Sequence, residues 1–118
     1  MFVYNAHNVS SGWDVQRCMK FYRRLQSLGF YEDQDDFGEQ VMSWQPASIT
    51  DKLVVSMPGM HLDIDLVSLR RECDQHLADL TTMWEAEFDV TTPDDVIMAA
   101  IATAMPLLLQ FDPVHCTR

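Results

Sequence analysis

The chain has 118 residues and is 47% hydrophobic, which predicts one domain over 1–118 with a real core and argues against disorder. Eighteen acidic residues against eight basic ones give a formal net charge of -10. That makes free nucleic acid a poor partner, because such binding runs on Lys and Arg neutralising phosphates, and it favours a basic protein surface instead.

Residues 2–6 (FVYNA) are short and rich in strand formers, so an opening strand is expected. Ser10, Ser11 and Gly12 then punctuate the chain. In the segment 13–29 (WDVQRCMKFYRRLQSLG), Trp13, Cys18, Met19, Tyr22, Leu25 and Leu28 recur at mostly three- and four-residue spacing. This predicts an amphipathic helix with Asp14 at its positive end and Gly29 as a left-handed cap.

Residues 40–45 (QVMSWQ) read as a strand closed by Pro46, and 52–57 (KLVVSM) as another. Pro58-Gly59 suits the centre of a turn. In 60–66, Met60, Leu62, Ile64 and Leu66 alternate with His61, Asp63 and Asp65, the pattern of a half-buried antiparallel strand. Residues 40–66 are therefore expected to form a three-stranded meander.

From Ser68 the period changes. Leu69, Cys73, Leu77, Leu80 and Trp84 predict a second helix ending near Phe88, with Ser68 as its cap. Thr92, Pro93, Asp94 and Asp95 form a strong helix start, and a third helix is expected over 93–110. Its apolar run, Val96 to Leu109, is interrupted only by Thr103 and is shorter than the roughly 20 residues that span a bilayer. Pro106 is expected to kink or end it. A helix apolar on nearly every side is either central in the core or shared with a second subunit. The expected fold is α+β, in the order βα-βββ-αα.

The segment 31–40 (YEDQDDFGEQ) carries Glu32, Asp33, Asp35, Asp36 and Glu39. A calcium loop of the EF-hand type fails on spacing. Counting from Asp33, Asp35 and Gly38 fall correctly, but Phe37 and Trp44 stand where ligands are needed. Ten more carboxylates lie between residues 60 and 95, against only Arg70 and Arg71. Arg17, Lys20, Arg23 and Arg24 on the first helix make up half of the eight basic residues, so the charge is segregated. A phosphate site on Arg17, Lys20 and Arg24 is weaker than a solvated basic face, given the net charge.

His61, Asp63 and Asp65 share one face of their expected strand, which offers acid–base or metal chemistry. The alternation already requires a wet face there, and that explains them without a site. Cys73 and His76 share a helical side, but zinc needs two more ligands, and His115 and Cys116 would have to fold back to supply them. No phosphate loop, nucleophile elbow or paired-histidine zinc motif is present. The reading therefore assigns no catalytic residue, metal or cofactor. Cys18, Cys73 and Cys116 are an odd, widely spaced set, and 1–12 shows no signal-peptide pattern, so reduced thiols and a cytoplasmic location are expected.

The leading expectation is a non-catalytic acidic protein that blocks a basic partner, such as a nuclease or a nucleic-acid-binding complex. Inhibitors, toxin-immunity proteins and phage anti-defence proteins of the anti-CRISPR kind share that physics. Its expected contacts are Glu32, Asp33, Asp35, Asp36, Glu39, Asp63 and Asp65. The alternatives are a homodimeric, secretion-chaperone-like assembly through the 93–110 helix, and a small enzyme using His61 with Asp63 or Asp65. Neither direct nucleic-acid binding nor a membrane role is expected.

Overall fold

The computed structural model describes residues 12–35, 37–46, 51–60, 64–74 and 80–108. The elements run α1 (Val15–Ser27), β1 (Tyr31–Gln34), β2 (Gln40–Trp44), β3 (Asp51–Ser56), β4 (Leu66–Asp74), β5 (Leu80–Asp89) and α2 (Asp94–Leu108). The five strands form one antiparallel sheet in the order β1-β2-β3-β4-β5, so every strand pairs with its neighbour in sequence. The α+β class holds, but the meander has five strands where three were expected. The strand expected over 2–6 lies outside the described residues.

Helix α1 begins where Asp14 accepts a hydrogen bond from the Arg17 backbone N–H at 2.8 Å. It ends in a Schellman turn: Phe30 N–H donates to Leu25 O and Gly29 N–H to Gln26 O, each at 3.0 Å, with Gly29 at φ +103°. Its inner face buries Cys18, Phe21 and Leu25, with Trp13 beside them. These side chains pack with Ile97, Ile101 and Leu108 of α2 on Met42, Leu53, Val55, Val67 and Leu69 of the sheet. The core thus lies between one face of the sheet and both helices.

One arginine ties the two helices' ends together. Arg17 Nε donates to Asp94 Oδ1 at 2.8 Å, and its remaining nitrogens reach the backbone carbonyls of Gly12, Val90 and Thr92. Its guanidinium also lies 4.4 Å from the centre of the Trp13 ring.

The largest correction concerns residues 68–88. The expected helix is instead the β4–β5 hairpin, and Ser68 is a mid-strand residue whose hydroxyl donates to Glu85 rather than a helix cap. Leu, Arg, Glu and Ala favour helix locally, yet pairing of β4 with β3 along six positions overrides that preference. The period-two signal was hidden because Arg71 occupies a helix-facing position. Its Nε bonds Asp51 Oδ2 at 2.6 Å, and Asp51 is fully buried.

The described residues of the alternation over 60–66 are not a separate strand. Met60 closes a turn by donating to Met57 O, Asp65 precedes β4, and 61–63 lie outside the described residues. Helix α2 starts with Asp94 and Asp95 in its first turn as expected, but it carries Pro106 inside its last turn and continues to Leu108. It is not buried all round, since Val96 and Leu107 are about half exposed on its outer side. Among the described residues, no helix is long and apolar enough to cross a membrane.

Candidate functional site

The sheet face turned away from the helices carries the polar chemistry. Two networks cross it. On the β1–β3 side, Asp33 Oδ2 accepts from Ser43 Oγ at 2.7 Å and from Lys52 Nζ at 3.1 Å. On the β3–β5 side, Arg70 Nε donates to Glu72 Oε2 at 2.9 Å, and its Nη1 reaches Ser56 Oγ and Ser68 Oγ. Ser68 Oγ in turn donates to Glu85 Oε2 at 3.0 Å.

The acidic residues read from the sequence do not form one surface. Glu32, Asp33, Asp35 and Glu39 lie on and beside β1, at one edge of the sheet. Glu85 and Glu87 lie on β5, at the other, and Asp65 stands just before β4, the strand next to it. Four interstrand spacings separate the two edges, about 19 Å. Asp36 and Asp63 lie outside the described residues.

Most of the β1-edge carboxylates have structural work. Burial pushes the Asp33 carboxyl up, but bonds from Ser43, the Gln34 N–H and Lys52 outweigh this and hold it below the ordinary range. Asp35 closes the β1–β2 hairpin: its Oδ1 accepts from the backbone N–H groups of Phe37 and Glu39, each at 2.9 Å. Gly38 takes φ +80° in that turn. Burial, and then Glu32, which hydrogen-bonds its hydroxyl, raise the pKa of Tyr22, so Glu32 is engaged as well. The segment 31–40 is thus half strand and half turn. Phe37 stands at its tip, 89% exposed.

The β5 edge differs. Asp65, Leu66, Ser68, Arg70, Glu85 and Glu87 line a cleft of about 280 Å³. Arg70 forms part of its lining, with its charge taken up by Glu72 and a longer 4.0 Å approach to Glu85. Asp65 and Glu87 are exposed and have no bonded partner among the described residues. Glu85, Glu87 and Asp89 alternate with Trp84, Ala86 and Phe88 along β5, a strict period of two that the helical reading of the sequence passed over. Asp89 is committed at the end of the strand, where it accepts from the Thr91 backbone and hydroxyl, and these two bonds lower its pKa.

The other sequence candidates fall mostly outside the described residues. Among the described residues, no group of three His, Cys, Asp or Glu side chains is placed to hold a metal. His61, His76, His115 and Cys116 lie outside the described residues. Cys73 is disulfide-bonded, with its partner outside the described residues, which corrects the expectation of three reduced thiols and removes the thiol argument for a cytoplasmic location. Cys18 is a buried free thiol whose pKa burial pushes up to about 11, with the Trp13 contact opposing this. Arg17 is consumed by its bonds to Asp94 and three carbonyls, and Arg24 pairs with Asp95 at 3.3 Å, so the basic helical face is partly neutralised. Lys20 and Arg23 remain on its exposed side.

Comparison with protein-family models, with curated proteins and with solved structures gives no match for this chain.

Proposed function

We propose that this is a small, acidic, non-catalytic protein that binds and blocks a basic, nucleic-acid-handling protein, as inhibitor, immunity and phage anti-defence (anti-CRISPR-type) proteins do. The observation that carries the reading is the pair of exposed carboxylates, Asp65 and Glu87, which have no bonded partner among the described residues and share a cleft with Glu85, in a chain with a formal net charge of -10. The mechanism is competition. Carboxylates at this edge occupy cationic positions that would otherwise hold phosphates, and the net charge speeds encounter with a basic surface.

The test is direct. A panel of purified basic nucleases is assayed on duplex DNA with and without the protein. Inhibition of a subset, relieved by excess DNA and weakened by added salt, is the expected result. No inhibition of any member, or inhibition indifferent to both DNA and salt, refutes the reading.

A second reading rests on α2, whose outer side presents the half-exposed Val96 and Leu107. A homodimer through this helix buries that side by apolar contact. Light scattering distinguishes it: a salt-resistant dimer that Leu107→Glu splits into monomers supports this reading, and a wild-type monomer rejects it.

A further inference from the structure

We infer that the outer edge of β5 receives an extended segment of the basic partner as a sixth strand, and that the segment alternates cationic with apolar residues. This rests on the proposed function and specifies its mode of contact. Strand β5 has ten residues and pairs only with β4 among the described residues. Among those residues its far side is uncovered and offers a row of backbone donors and acceptors, the template for strand addition. The opposite edge is a poorer one. Strand β1 has only four residues, and its Glu32 is already engaged with Tyr22.

Charge selects the occupant. Along β5, Glu85 and Glu87 project to one face of the sheet, while Trp84, Ala86 and Phe88 project to the other. An added strand places every second side chain beside the carboxylates and the intervening ones beside Trp84 and Ala86. Cations at the first set and apolar residues at the second satisfy both faces. A second copy of this chain does not, because antiparallel pairing of two β5 strands sets carboxylate against carboxylate. The same row thus blocks self-association and admits a basic strand. The edge is irregular at one point only: the register shifts between Arg71 and Glu72 and leaves Met83 as a bulge, so the stretch from Trp84 to Asp89 is the regular one.

The probes are synthetic peptides as long as β5. One alternates Lys and Val. A second has the same residues in two blocks. Two more keep the alternation but are N-methylated on one or the other set of alternate backbone nitrogens, which removes ladder donors. Each is titrated into isotope-labelled protein while backbone amide shifts are followed. The alternating peptide is expected to bind at least about tenfold tighter than the blocked one. Its shifts should centre on residues 82–89, and at least one N-methylated form should lose that advantage. The variant Glu85→Lys with Glu87→Lys, two exposed positions on the β5 row, is expected to reverse preference toward an alternating Glu–Val peptide.

Equal binding of alternating and blocked peptides, or shifts centred on Tyr31–Gln34, overturns strand addition at β5. If basic nucleases are nevertheless inhibited in a salt-dependent way, the blocking function stands and only the strand mode fails. If they are not, both fail.

Discussion

Replacing Arg71 by methionine is expected to be among the most damaging single changes in the sheet. Asp51 is fully buried, and the Arg71 side chain is 14% exposed, with Nε 2.6 Å from Asp51 Oδ2. Removing the guanidinium leaves a carboxylate in the core without its counter-charge, which costs about 3–5 kcal/mol. At roughly 4 °C per kcal/mol for a domain of this size, the melting temperature falls by about 12–20 °C. The pair itself contributes far less than that loss, because two buried charges replaced together by apolar groups are often neutral or better. The double variant Asp51→Val, Arg71→Met should therefore recover most of the deficit, with a coupling of about 3 kcal/mol. Urea unfolding followed by tryptophan fluorescence measures all four corners of the cycle. A single-variant cost below about 1 kcal/mol, or a double variant as unstable as the sum of the singles, refutes the argument and with it the packing of β3 on β4.

Gly29→Ala is expected to cost about 1–2 kcal/mol, because φ is +103° and the new Cβ would sit 3.3 Å from Trp44 Nε1. An unchanged melting temperature refutes this. Asp33 has its carboxyl pKa lowered below the unfolded value of 3.8, so its contribution is present above that value and lost as pH falls through the folded one. Asp33→Asn should accordingly lower stability near neutrality and flatten its decline in acid, and an unaltered acid limb contradicts the assignment. Native protein should resist alkylation at Cys18 in mildly alkaline solution, since burial holds the thiol near pKa 11. Cys73 should be alkylated only after reduction, and mass spectrometry of the labelled peptides checks both cysteines.

The elements with complete end signals were readable from the sequence. Asp14 and Gly29 bound α1, and Pro93 with Asp94 and Asp95 starts α2, because caps are local and need no tertiary partner. The strands β2 and β3 showed as short apolar runs ended by Pro46 and Pro58. The β4–β5 hairpin did not show. Its inward positions include Arg71, which is tolerable there because its guanidinium reaches diagonally across β3 to Asp51, a partner 20 residues away in sequence. The Trp84–Asp89 alternation was present but lay beneath a competing three- and four-residue leucine pattern. The acidic residues were identifiable as charges and not as roles. Whether a carboxylate caps a turn, as Asp35 does, or has no bonded partner among the described residues, as with Glu87, depends on which strand it lies beside. The two acidic stretches stand at opposite edges for the same reason: the meander carries them there.

The most direct test is the salt dependence of binding to an inhibited basic nuclease, measured for three proteins side by side. They are the wild type, the β5-edge variant Asp65→Asn, Glu85→Gln, Glu87→Gln, and the β1-edge variant Glu32→Gln, Glu39→Gln. A wild-type affinity that falls steeply with salt, a flattened slope and at least about tenfold weaker binding for the β5-edge variant, and little change for the β1-edge variant are predicted. A flattened slope in the β1-edge variant alone, or no salt dependence in any of the three, contradicts the account.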